Sequence, residues 1–110
     1  MAVVQAADSS TVTRIVERLA AIYRPDRIYL CGSAARGTAG YDSDYDFMVV
    51  VPDGTPRELR DERRVFAVLT DIDAPVDVLV WLRSEFDRRL HLPASFPSTI
   101  VREGKLVYAA

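Results

Sequence analysis

Asp44 and Asp46 stand two residues apart at the start of Asp44-Tyr45-Asp46-Phe47-Met48-Val49, a segment that alternates, then runs wholly apolar to Val51 before Pro52-Asp53-Gly54 breaks it. This pattern predicts a strand. In a strand, residues i and i+2 project to one face, roughly 6.6 to 7 Å apart. Carboxylates gathered in this way repel: two unit charges 4 Å apart cost about 4 kcal/mol at an effective dielectric of 20. Hard divalent cations with oxygen ligands remove that cost, and magnesium prefers one or two protein carboxylates, leaving positions for water and substrate phosphate. A third carboxylate on a neighbouring strand permits a two-metal site, which stabilises both the attacking and the leaving oxygen of a phosphoryl transfer. Asp77, inside the predicted strand Val76 to Leu82, is the choice for that role, with Asp71 and Asp73 of the preceding loop as alternatives.

Upstream, Leu30-Cys31-Gly32-Ser33-Ala34-Ala35-Arg36-Gly37 places a Gly-Ser step where an apolar run gives way to a helical turn. Glycine lets backbone approach a ligand closely, and amides at a helix start favour phosphate. Ser33 adds a hydroxyl donor. Arg36 either contacts phosphate or pairs with an acidic residue to fix the loop. Tyr41 and Tyr45 either stack on a base or pack beside the site. A Gly-Ser dipeptide alone, or an Asp-x-Asp alone, is weak; their spacing and the flanking apolar strands make the combination stronger.

The elements that must position these residues follow from periodicity. Val12, Ile15, Val16, Leu19, Ala20 and Tyr23 recur at helical spacing, with Ser9 or Ser10 to cap and Pro25 to stop, giving a helix over 10–23. Ile28 to Cys31 reads as a short buried strand. Thr55-Pro56-Arg57-Glu58 carries helix-start signals, predicting a helix to about Thr70 with Leu59, Phe66 and Leu69 inward. In the third strand Asp77, Leu79 and Trp81 share one face, and Val76, Val78 and Val80 the other. Ser84 is placed to cap a short helix through Leu90, and the tail predicts a helical turn over 98–102, Gly104, and a strand over 105–108.

Gly32-Ser33, ten residues, then Asp44-Tyr45-Asp46, with Val76-Asp77-Val78 further on, resembles the minimal nucleotidyltransferases, small proteins similar to the catalytic palm of the DNA polymerase β superfamily. The likeness extends to Ala35-Arg36-Gly37 and Arg102-Glu103-Gly104-Lys105 and spans nearly the whole chain. The resemblance implies an α/β (α+β) fold, a small mixed β-sheet flanked by helices. It further implies ATP as nucleotidyl donor, magnesium (two Mg2+ ions) on Asp44, Asp46 and Asp77, and nucleotide contacts from Gly32, Ser33 and Arg36. It also implies a partner, since similar proteins are often antitoxins paired with a HEPN-family toxin, some silencing it by transfer of AMP to a tyrosine. Two other readings stand beside this one. One is a non-catalytic nucleotide-binding antitoxin acting by contact; the other is a small-molecule nucleotidyltransferase of aminoglycoside type completed at a homodimer interface.

Composition bounds the rest. The 110 residues, 49% of them hydrophobic, suit one domain over 1–110 with a single modest core. The stretch beyond Leu82 is too short for an added acceptor domain, so the acceptor is expected from a partner. A net charge of −2 argues against general nucleic-acid binding. The longest apolar run, Phe47 to Val51, is too short for a membrane span, and no basic segment leads into an apolar stretch at the N-terminus, which reads as cytoplasmic. Arg57, Arg60, Arg63 and Arg64 form either a solvated helix face or a docking surface for acidic groups. The lone Cys31 reads as a small buried side chain, and the single His91 as a surface or helix-end residue.

Overall fold

The computed structural model describes residues 2–3, 10–32 and 45–110. Among the described residues, five strands form one mixed sheet in the order β1-β5-β2-β3-β4. These are β1 (Ala2–Val3), β2 (Arg27–Cys31), β3 (Tyr45–Val51), β4 (Val76–Leu82) and β5 (Lys105–Ala109). Only β3 and β4 pair in parallel; β1 with β5, β5 with β2, and β2 with β3 are antiparallel. Helix α1 (Ser10–Tyr23) covers one face of the sheet, and α2 (Arg83–Asp87) and α3 (Phe96–Glu103) cover part of the other. This is the small mixed sheet flanked by helices that the resemblance implied. No helix among the described residues is long and apolar enough to cross a membrane.

The layers follow from side-chain alternation. Phe47, Val49 and Val51 of β3, with Ile28 and Leu30 of β2 and Val78 of β4, meet Ile15, Val16 and Leu19 of α1 in the larger core. Met48 and Val50 point to the opposite face and meet Tyr29, Phe86 of α2 and Ile100 of α3. With both faces covered, every residue from Phe47 to Val51 is buried, which is why this stretch of β3 loses its polar alternation. In the smaller core the Tyr29 and Phe86 rings stack with centroids 5.5 Å apart, and Trp81 meets Phe86 edge-on at 6.5 Å.

Helix α1 ends as its sequence predicts, but Arg24 carries the stop. Its amide donates to Ala20 O over 3.0 Å and its φ is +47°, in the left-handed region that glycine occupies more cheaply. Arg24→Gly is therefore expected to raise stability by about 1 kcal/mol, measured by urea unfolding. Arg18 donates to Asp71 through both terminal guanidinium nitrogens, Arg14 joins from one turn earlier at 3.0 Å, and Arg18 also donates to Val68 O. The Arg18 hydrogen bonds, seconded by Arg14, hold the Asp71 carboxyl well below the ordinary carboxylate value of 3.8. A depressed folded-state value stabilises the fold above the unfolded value and ceases to do so as pH falls through the folded one. Asp71→Asn should accordingly lower the urea midpoint at pH 7, and the gap from wild type should close as pH drops below about 4.

The segment between β3 and β4 corrects the sequence reading. In place of one α-helix to Thr70 there are two 3-10 helices, Arg57–Arg60 and Glu62–Ala67, separated by Asp61 in extended conformation. Asp61 accepts the Arg63 amide at 2.9 Å and so starts a new turn. Leu59 and Phe66 are exposed, and Val65 is the residue buried. Residues 60–64 are wholly charged, which leaves no continuous apolar stripe to hold an α-helix against the sheet. The arginines here do not form a basic face: Glu58, Asp61 and Glu62 are interleaved among Arg57, Arg60 and Arg63. Glu62 reaches the outer edge of β4 and accepts the Val80 amide at 3.0 Å, covering part of a free strand edge.

Two smaller corrections concern caps. Ser84 lies inside α2 and does not cap it; Glu85 accepts the Leu82 amide at 3.1 Å and Asp53 accepts the Ser84 amide at 2.8 Å. Helix α3 starts at Phe96, earlier than the expected turn, because Ser95 accepts the Ser98 amide and Pro97 occupies the first turn.

Candidate active site

Tyr45 begins β3, and its amide donates to Pro75 O at 3.0 Å, which locks the start of β3 against β4. The parallel register beyond it pairs Asp46 with Asp77 directly. Both belong to the sheet face opposite α1, the face that also carries Met48 and Leu79 two residues further on. Carboxylates directly opposite one another on adjacent strands are unfavourable unless something compensates. On the other side of β3, Cys31 pairs with Asp46 in the antiparallel register, which brings the end of β2 alongside.

Gly32 follows Cys31 with φ +73°. A Cβ on Gly32 would lie 2.9 Å from Asp46 Oδ2, so the turn and the carboxylate touch only because the side chain is missing. The sequence reading needed this juxtaposition, and the described residues supply it. Gly104, at the end of α3, holds the same corner from behind: a Cβ there would meet Ile100 O at 2.7 Å and Leu30 O at 2.9 Å. Both neighbours are backbone and neither can yield cheaply. Gly104→Ala is expected to destabilise the fold by about 1–3 kcal/mol, read as a lowered thermal midpoint.

A recess of about 310 Å³ opens beside the carboxylates. Asp46 and Asp77 line it together with the buried Met48 and Ile100, which serve as its floor, and the exposed Leu79 and Phe96, which serve as its wall. Cys31 also borders it. Burial, with the Asp46 carboxylate adding to the effect, pushes the Cys31 thiol up to about 11. Cys31 is half-buried where the sequence suggested full burial, and it stays a neutral thiol near pH 7.

Of the residues singled out from sequence, Gly32, Asp46 and Asp77 come together; Asp44, Ser33, Arg36 and Tyr41 lie outside the described residues. Among the described residues no three histidine, cysteine, aspartate or glutamate side chains gather as a metal site; the carboxylates brought together are Asp46 and Asp77. As a donor set, two side-by-side carboxylates with Gly32 against one of them match the hard-oxygen preference of magnesium. Between the alternatives for the third carboxylate, Asp71 is engaged by arginines of α1 on the far face, Asp73 lies in the segment before β4, and Asp77 pairs with Asp46 across the two strands. Tyr45 packs toward the α1 core, the face opposite Asp46, and is therefore not a stacking platform for a base at this site. His91 lies exposed in the turn after α2. Met48 and Leu79 went unassigned in the sequence, although their i+2 relation to Asp46 and Asp77 puts them on the same face. Phe96 comes from a distant helix that periodicity did not connect with the strands.

Comparison with known proteins agrees with this architecture. The fold is similar to a chain of a toxin-antitoxin crystallised with AMP-PNP, at TM-score 0.61 and 22% identity over 93% of this chain and 75% of that one. It is also similar to a proposed nucleotidyltransferase from Sulfolobus solfataricus, at TM-score 0.55 and 24% identity over 90% of this chain and 78% of that one. No curated protein matches the sequence. Residues 12–107, which run from α1 through the middle of β5 and include Gly32, Asp46 and Asp77, match the family described as nucleotidyltransferase domain. The chain belongs to the nucleotidyltransferase domain family.

Proposed function

We propose that the chain transfers AMP from ATP to an acceptor hydroxyl, that the acceptor is a tyrosine of a HEPN-family toxin, and that the chain acts as its antitoxin. The observation that carries the transfer chemistry is the pairing of Asp46 with Asp77 across two parallel strands, with Gly32 against Asp46. The toxin-antitoxin with AMP-PNP, a fold neighbour, supports the choice of partner and nucleotide.

Asp46 and Asp77, together with Asp44, would hold two magnesium ions, which when bound neutralise the carboxylates and the triphosphate oxygens. Gly32 leaves room for the triphosphate to approach the backbone, and Ser33 and Arg36 would add donors to it. The acceptor oxygen attacks the α-phosphorus as its proton passes to an Asp77 carboxylate oxygen. The new oxygen–phosphorus bond forms as the bond to the β-phosphate bridging oxygen breaks, and pyrophosphate leaves. Positioning and charge neutralisation supply most of the acceleration.

Co-expression with a HEPN toxin, followed by intact-mass analysis of the toxin, tests the reading. An adduct of AMP mass that disappears with Asp46→Asn supports it. A toxin neutralised without any adduct, equally well by wild type and variant, would replace it with inhibition by contact.

A further inference from the structure

We infer that the recess beside Asp77 is the acceptor side of the site, and that Leu79 and Phe96 select a hydroxyl carried on an apolar ring over a hydroxyl carried on a sugar. This inference rests on the metal-dependent transfer proposed above. In-line displacement places the attacking oxygen and the departing pyrophosphate on opposite sides of the α-phosphorus. Gly32, which marks the triphosphate side, lies past the end of β2, one step beyond Cys31 and its partner Asp46. Met48 and Leu79 lie the other way along β3 and β4, two residues from Asp46 and Asp77, or roughly 7 Å. The carboxylates therefore stand between the phosphate turn and the recess, which is where an attacking group belongs.

The lining decides what that group is. Among the described residues that line it, those other than Asp46, Asp77 and Cys31 are apolar. Met48 and Ile100 are buried at 1% and 4% exposure, so the floor is closed. Leu79 and Phe96 keep 40% and 47% exposure, so the wall is accessible to an incoming group. Phe96 is braced by Trp81, with ring centroids 5.7 Å apart. A sugar pressed against this wall leaves hydroxyls without partners, whereas an apolar ring leaves none. A volume of about 310 Å³ is at the low end for ligand pockets, enough for a single ring and its stem but not for a linked series of sugars.

Methyl NMR of the full chain tests this, with the protein saturated with magnesium and an ATP analogue whose α,β-bridge is methylene. N-acetyltyrosinamide is titrated in one series and methyl riboside in another. The phenol is expected to shift the Met48, Leu79 and Ile100 methyl signals while the riboside leaves them in place. Leu79→Asn and Phe96→Ala, both at exposed positions, should each weaken the phenol by about fivefold or more. Four results overturn the inference: no response to the phenol, an equal response to the riboside, unchanged phenol affinity in both variants, or occupation of the same methyls by the nucleotide analogue alone. Asp46→Asn, measured alongside, reports nucleotide binding by itself, so a failed acceptor seat is distinguishable from a failed nucleotide site.

Discussion

Asp46→Asn is expected to lower nucleotidyl transfer about 10³-fold while leaving the fold within about 1 kcal/mol of wild type. The two numbers diverge for a physical reason. Asparagine has nearly the shape of aspartate, so packing between Gly32 and Met48 is kept, and removing one of two facing charges relieves repulsion with Asp77 in the metal-free protein. The same removal takes away a cation ligand, and with it the charge neutralisation on which attack at phosphorus depends. Pyrophosphate release with magnesium, ATP and the toxin as acceptor measures the first effect, and urea unfolding without metal the second. Asp77→Asn should behave alike. Asp71→Asn should do the reverse, costing stability and leaving turnover unchanged, because its carboxylate is engaged by Arg14 and Arg18 on the far side of the sheet. Turnover by Asp46→Asn within tenfold of wild type would remove this carboxylate from the metal site.

Much of this architecture is legible in the sequence, and the reasons differ from element to element. Helix α1 and strand β3 are read correctly because their apolar residues repeat at the spacing that burial requires: Val12 to Tyr23 at three and four, and the β3 run bounded by Pro52. The face shared by Asp77, Leu79 and Trp81 follows from strand alternation alone. The crossover is misread because its local signals, Thr55-Pro56 and a glutamate, argue for an α-helix, whereas the tertiary context buries Val65 and exposes Leu59 and Phe66. At the site, the choice of Asp77 over Asp71 needs the register between β3 and β4, and no pattern within a single strand contains that. The contact between Gly32 and Asp46 is likewise a property of β2 paired with β3. Phe96 is invisible for the same reason, since α3 joins the recess only after the chain has passed on from β4 through α2.

Gly32→Ala carries the other large effect, an expected loss of about 10²-fold in turnover for the addition of one methyl group. At φ +73° an alanine costs about 1–2 kcal/mol in backbone strain. That alone would appear in stability and leave the catalytic step intact. The larger consequence is positional: the new Cβ would stand 2.9 Å from Asp46 Oδ2, closer than van der Waals contact permits, so the carboxylate must move. A shift of about 1 Å in a group that positions reactants is enough for a 10²-fold loss. Gly54→Ala is the control, because nothing lies within 4 Å of its added Cβ; stability and turnover should both stay near wild type. The double variant separates strain from displacement. If Gly32→Ala acts through Asp46, then combining it with Asp46→Asn should lower turnover no further than Asp46→Asn does alone, since both damage one and the same group. Fully multiplicative losses would show instead that Gly32 serves the triphosphate independently of the carboxylate it touches.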